Sequence, residues 1–383
     1  MSGRSGPGAL SLARVLAVLV KEFIQLRRDR VTFGMIIGVP LIELVIFGFA
    51  INSDPRQLPT ALFVQDHSAY SRAVVNAFAN SGYFELRHQH NERGTGDRQL
   101  ARGEVAFVLT IPEDFTRRLL RGERPRVLLE ADATDPAAAS NAIAAAGALV
   151  HGALAHERLA PAGLPAGEPP FELLTHRRYN PEGISQYNTV PGLLGVILTM
   201  TMVMMPALAL TRESERGTME NLLAMPVTPL EVMLGKVLPY TGMGALQVLI
   251  ILSVAHGVFH VPMLGSYALL FAMLALFIAC VATLGYLIST VARNQMQAMQ
   301  MTLVFVLPSI LLAGFMFPFR GMPGWAQALG ELLPLTHILR IVRGIMLKGA
   351  GFADIAPHTL PLLLFLLVVA AIALRRFRRT LDS

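Results

Sequence analysis

The chain holds three lysines, Lys21, Lys236 and Lys348, and they precede Glu22, Val237 and Gly349. A phosphate-binding loop needs a glycine-rich turn, then Lys, then Ser or Thr, so that backbone N–H groups and the ammonium cradle the phosphates. None of the three lysines has that setting. Other chemistry is equally sparse. His256 and His260 have the i, i+4 spacing of two ligands on a helix, but no carboxylate or third His lies near them, and Gly257 weakens a helix between them. His88 and His90 alternate along a strand-like run with no better support. The single cysteine, Cys280, sits in an apolar run, which excludes intrachain disulfides and thiolate clusters. No Ser-His-Asp set or carboxylate pair can be assembled. The expectation is no catalytic residue and no metal.

Two polar features remain. Glu43 is the one carboxylate inside an apolar run of membrane-spanning length. A charge at that depth is costly unless paired or protonated. Glu43 is therefore a candidate intramembrane site for cation contact or protonation-coupled gating, beside the plainer reading of a protonated packing residue. The second feature is a dense charged cluster, Arg212, Glu213, Glu215, Arg216 and Glu220, with Gly217 and Thr218 inside it, between two long apolar runs. Such a cluster must lie in water beside a membrane. The sequence then turns amphipathic at Leu222, Leu223 and Met225, stops at Pro226 and Pro229, and re-enters apolar sequence after Lys236. A short polar helix pinned at both ends to membrane spans can receive force from a soluble partner, with apolar anchors for grip and charges for register. A solvated loop that only enforces topology is the alternative.

The elements that would hold these features are mostly membrane spans. The chain is 53% hydrophobic and 15% charged, with its apolar residues clustered, which is wrong for a soluble protein of this length. A helix needs about 20 apolar residues to cross a bilayer, and six runs qualify: 31–51, 187–210, 237–256, 267–290, 299–318 and 358–374. Arg and Lys collect before the first run, between the second and third, between the fourth and fifth, and after the last. By the positive-inside rule both termini are cytoplasmic. The same rule accounts for the net charge of +6, so nucleic acid is not expected as a partner. Residues 1–30 read as an amphipathic helix on the inner membrane surface, with Leu12, Leu16, Leu19 and Phe23 on one face and Arg14, Lys21 and Arg28 on the other.

Between the first two spans, residues 52–185 are not membrane sequence. Short β-rich runs at 60–64, 83–87, 105–111 and 126–130 alternate with helical patterns, which implies a small α/β domain, extracytoplasmic by the topology above. Helix starts are expected at Thr110–Glu113, spaced as a capping box, and at Asp135-Pro136; a Pro/Gly-rich linker follows at 161–170. The stretch 319–350 is too polar and broken for a span yet too apolar for a free loop. Short re-entrant helices in the outer leaflet fit it, with Trp325 at the interface.

The pattern Glu215-Arg-Gly-Thr-Met-Glu220, then Leu-Leu, a Pro and Leu234-Gly-Lys236, resembles the coupling-helix region of type-2 permeases of ATP-binding cassette exporters. Phe315 to Pro323 and Leu333-Pro-Leu-Thr-His337 resemble the bacterial drug-export branch of that family. The resemblance implies an α-helical multi-pass permease in a bacterial inner membrane, with a coupling helix at about 211–225 and re-entrant helices before the last span. It implies contact with a separate ATPase subunit through Arg212, Glu213, Glu215, Arg216, Gly217, Thr218 and Glu220. ATP and magnesium would be bound by that subunit and no cofactor by this chain. A second permease, identical or paralogous, completes the assembly, and a periplasmic adaptor protein is a further partner compatible with it. The expected cargo is drug-like or amphipathic, with or without cations. Two rivals stay open at this point: a membrane-anchored receptor or scaffold acting through the α/β domain, and a proton-coupled transporter using Glu43.

Overall fold

The computed structural model describes residues 55–89, 93–154, 168–215 and 229–381. The amphipathic N-terminus, the first expected span with Glu43, and Arg216, Gly217, Thr218 and Glu220 lie outside the described residues.

The α/β unit contains β1 (Leu58–Val64), α1 (Ala69–Asn80), β2 (Phe84–Gln89), α2 (Arg93–Ala101), β3 (Phe107–Ile111), α3 (Phe115–Leu120), β4 (Arg126–Asp132), α4 (Pro136–Gly152) and β5 (Glu172–Arg178). The strands form one sheet in the order β2-β1-β3-β4-β5. β1 runs parallel to β2 and β3, β3 antiparallel to β4, and β4 parallel to β5. β1 and β3 are buried along their whole length except for half-buried Val64, as continuous apolar runs covered on both faces must be. Phe78, Phe84 and Phe107 stack in series, with ring centroids 5.0 and 5.2 Å apart, at the centre of this core.

The four β-rich runs of the sequence fall on β1 to β4, and Asp135-Pro136 opens α4, with the Asp135 carboxylate accepting the Ala138 N–H. The expected capping box at Thr110–Glu113 is not formed, because Thr110 belongs to β3. α3 is instead capped from a distance: Asp66, just after β1, accepts N–H bonds from Thr116 and Ser68, both at 2.8 Å. β5 was not legible in the sequence. Glu172-Leu-Leu-Thr-His-Arg-Arg178 is an edge strand, largely exposed, and shows little apolar alternation.

Asn180 ties the unit to the membrane helices by closing a turn on Ile184 with two hydrogen bonds, of 2.9 and 3.0 Å. Then come α5 (Ser185–Glu215), α6 (Pro229–Gly257), α7 (Tyr267–Val291), α8 (Gln295–Leu312), a 3₁₀ turn (Phe319–Gly321), α9 (Gly324–Gly330), α10 (Pro334–Lys348) and α11 (Phe352–Leu381). Among the described residues five helices, α5, α6, α7, α8 and α11, are long and apolar enough to cross a membrane.

α7 is the central post, packed against α5, α6, α10 and α11. Gly285 permits its closest approach: a methyl there would overlap the Val203 carbonyl of α5. α6 and α11 form the perimeter, with only 22% and 17% of their apolar windows buried against 61% for α7. Their outward faces, Leu246, Leu249 and Ile250 on α6 and Leu360, Leu364 and Leu367 on α11, are exposed as a lipid-facing surface would be.

Two span limits differ from the sequence reading. The fifth ends at Leu312 rather than near 318, because Gly314 turns the chain with φ +80°. The last begins at Phe352 rather than 358, since Pro357 and Pro361 sit inside helix without breaking it. α10 is also more deeply packed than a shallow re-entrant helix. Leu335, Ile338, Ile341, Val342 and Ile345 join the bundle core, while Arg340, Arg343 and Lys348 line the space beneath the α/β unit.

Candidate functional site

The bundle has two ends with different chemistry. At one, the α/β unit rests on α10, the 3₁₀ turn and the start of α11. Lys348, the last residue of α10, donates to the Asp132 carboxylate at 2.6 Å and to the Leu100 carbonyl at 3.2 Å, and lies 5.1 Å from the Tyr179 ring centre. Burial, reinforced by Asp132, pushes the Tyr179 phenol up to about 12. Arg102 pairs with Asp354 at 3.1 Å, and Arg320 donates to the Gly103 carbonyl. Arg340 grips Glu331 through two bonds, of 2.6 and 3.1 Å, and stacks 4.5 Å from the Phe319 ring centre.

At the other end, α5 continues as unbroken helix through Glu215, so Arg212, Glu213 and Glu215 ride on an extension of a span. The Glu215 carboxylate accepts from the Gln295 backbone N–H at 2.8 Å and from its side-chain amide at 2.5 Å. Gln295 is the first residue of α8, whose unsatisfied N–H groups and positive dipole end favour a carboxylate there. Next to it Asn294 caps the Gln297 N–H at 2.8 Å, and Gln297 returns a bond to the Arg293 N–H at 2.6 Å. The Gln297 side chain thus reaches one residue past the N-cap, so the two bonds tie the start of α8 to the turn before it without forming a reciprocal capping box. Arg376, near the end of α11, donates to the Thr290 carbonyl at 3.3 Å. The ends of α5, α7 and α11 and the start of α8 thus meet in one place.

Of the sequence-derived contact residues, the structure therefore places three on one helical extension and gives Glu215 a partner within the chain. His256 and His260 do not share a helical turn, since α6 ends at Gly257. His88 lies on β2, paired with Ala61, and His90 is outside the described residues. Between the two ends the helices carry sparse polar contacts. Thr201 of α5 donates to Gln247 of α6 at 2.9 Å, and the Cys280 thiol donates to the Leu362 carbonyl at 3.2 Å.

The described residues form a sheet domain followed by a multi-pass bundle with a helix junction at its far end, and the sequence matches a known family over nearly its whole length. A family model described as ABC-2 family transporter protein matches residues 30–375. The chain belongs to this family. Among its relatives in Escherichia coli K12, the probable multidrug ABC transporter permease YbhS is 30% identical over 89% of this chain and 90% of its own length. The probable multidrug ABC transporter permease YbhR is 28% identical over 96% and 98%. The inner membrane transport permease YhhJ is 29% identical over 90% and 93%. The chain is accordingly the permease subunit of an ATP-binding cassette transporter of the drug-efflux-like branch, and ATP hydrolysis resides on a separate subunit. Of the three readings open at the sequence, family membership selects this one.

Proposed function

We propose that this permease exports drug-like or amphipathic molecules across the cytoplasmic membrane of a bacterium, as one half of a permease dimer driven by ATPase subunits that bind ATP and magnesium. The relatives named as multidrug permeases over matching lengths carry the substrate class. The α/β unit is extracytoplasmic. In support, Arg212, Arg293, Arg375 and Arg376 all belong to the bundle end opposite that unit, which is the positive-inside arrangement.

The ATPase docks on the segment 212–220 through Arg212, Glu213, Glu215, Arg216, Gly217, Thr218 and Glu220. The observation that carries the coupling reading is the Glu215–Gln295 contact. A push on the segment after α5 is passed to the start of α8 by these two hydrogen bonds. Glu43 acts within the first span as an intramembrane polar group that tunes this path.

The test is co-purification of the tagged chain with its ATPase, followed by reconstitution. Reversing Glu215 and Glu220 to Lys should leave the chain inserted and weaken ATPase capture by roughly thirty-fold or more, the consequence of placing like charges in a complementary groove. Wild-type capture together with wild-type substrate-stimulated hydrolysis would remove this segment from the contact.

A further inference from the structure

A cavity of about 410 Å3 lies between the α/β unit and the helices beneath it, walled by β4, the 3₁₀ turn, α10 and the start of α11. That size falls within the roughly 300–1,000 Å3 of pockets that hold small ligands. Five cations line it against four carboxylates, of which Asp135 acts on Arg343 through charge. Lys348 is matched by Asp132, Arg102 by Asp354 and Arg340 by Glu331. Among the described residues Arg320 and Arg343 hydrogen-bond only to carbonyls, those of Gly103 and Gly314, the latter at 3.3 Å. Three guanidinium nitrogens, Arg320 Nη1 and Arg343 Nε and Nη2, have no hydrogen-bond partner among the described residues and are closed to solvent, while each residue keeps another part of its surface open and lines the cavity. Buried donors of this kind are costly and in native proteins are almost always met.

We propose that this cavity is an anion site that takes a phosphate ester, with Arg320 and Arg343 as its binding residues. The geometry favours phosphate over carboxylate. Glu331 shows what a carboxylate does here: its two oxygens satisfy the one guanidinium of Arg340. Donors from two guanidinium groups on separate segments are met more fully by phosphate, whose three or four oxygens spread over a tetrahedron, than by the two coplanar oxygens of a carboxylate. Apolar walls from Ala313, Phe319, Leu339 and Ile355 leave room for the carbon side of an ester. Either a lipid headgroup or a soluble phosphate supplies the chemistry. The site joins the unit that sits on the bundle to the helices that carry it, so occupancy would stiffen that joint.

The inference stands apart from the export reading, because binding is read without ATP hydrolysis. The full chain with its ATPase, in phosphate-free maltoside, is titrated with inorganic phosphate, with short-chain phosphatidylglycerol and with the matching neutral diacylglycerol. Thermal unfolding and native mass spectrometry report occupancy. At least one phosphate probe should bind saturably and raise the unfolding temperature, while diacylglycerol does neither. Affinity should fall at least about tenfold in Arg343→Gln and in Arg320→Gln, the equivalent of one charge-assisted hydrogen bond. Binding of inorganic phosphate marks a soluble source, and binding of phosphatidylglycerol alone marks a lipid. Should Arg343→Gln fail to fold, Arg320→Gln and Arg343→Lys carry the comparison. Absence of saturable binding to wild type, or equal binding to wild type and variants, overturns the site.

Discussion

At the end of the bundle that bears the α/β unit, one charge pair between the units is withdrawn from water, while Arg102 and Asp354 pair at the exposed rim. Lys348 and Asp132 keep 9% and 15% of their side-chain exposure, and their bond at 2.6 Å joins residues far apart in the chain. At the opposite end the joining contact, Glu215 to Gln295, is exposed to solvent. Removing one member of a buried pair leaves the other charge stranded at about 3–5 kcal/mol. An exposed helix cap is worth about 1 kcal/mol. One end is thus held in a fixed arrangement, and the other is held cheaply enough to be moved by a docked subunit. Rigidity where the domain sits and low cost at the opposite end are what the proposed coupling would need.

The comparison breaks outright if the two ends do not face opposite sides of the membrane. The native Cys280 is buried, so the background for thiol labelling is low. Ser140→Cys in α4 should react fully with an impermeant reagent in cells whose outer envelope is made permeable. Arg293→Cys, between α7 and α8, should react only once the inner membrane is opened. Reversed labelling would invert the orientation and the proposed docking face with it.

The next largest effect is expected at Lys348. Lys348→Met should lower stability by about 3–5 kcal/mol, because Asp132 keeps its burial and loses its ammonium. Adding Asp132→Leu should restore much of the loss, since an apolar pair of similar volume removes the stranded charge. Thermal unfolding in detergent measures both. A double variant no better than the single one would mean that the Leu100 and Tyr179 contacts of Lys348, rather than the ion pair, hold the joint.

A smaller effect, confined to the α/β unit, is expected from Asp66. Burial by itself would raise its pKa, but the bonds from Thr116 and Ser68 outweigh it and hold the carboxyl below its usual range. A lowered folded pKa means that the stabilisation is complete above the unfolded value, ~3.9, and is lost as pH falls through the folded one. Asp66→Asn should cost about 2 kcal/mol at neutral pH and flatten the acid limb of the stability curve. An unchanged acid limb would assign that limb to other carboxylates.

These two ends were unequally legible in the sequence. The spans, the sheet domain and the charged segment announce themselves through apolar run length, alternation and Lys/Arg placement, which are local properties. The cavity residues do not. Arg320, Arg340, Arg343 and Lys348 registered only as polarity spoiling a span, because their partners Asp132, Gly103 and Glu331 are set by tertiary packing. β5 was missed since an exposed edge strand carries little pattern, and the capping box at Thr110 misled because a buried strand claimed that residue first. The start of α8 had a local signal, the N-cap Asn294, but the link of Gln295 to Glu215 crosses two spans and has no signature in either segment.

The smallest change in stability should carry the most information about function. Glu215→Ala removes two hydrogen bonds and a carboxylate from the start of α8, at about 1 kcal/mol, so unfolding should shift by only a few degrees. If Glu215 serves the ATPase surface alone, that variant weakens ATPase capture and Gln295→Ala changes nothing. If Glu215 passes motion from α5 to α8, Gln295→Ala is the decisive variant. It leaves the docking charges in place yet removes the side-chain half of the link, so ATPase capture stays normal while substrate-stimulated hydrolysis and efflux fall together, about threefold to tenfold. The double variant should then be no worse in coupling than Glu215→Ala alone, since both changes cut one connection. Additive losses would mean two separate roles, and the cheap end of the bundle would be a docking surface rather than a lever.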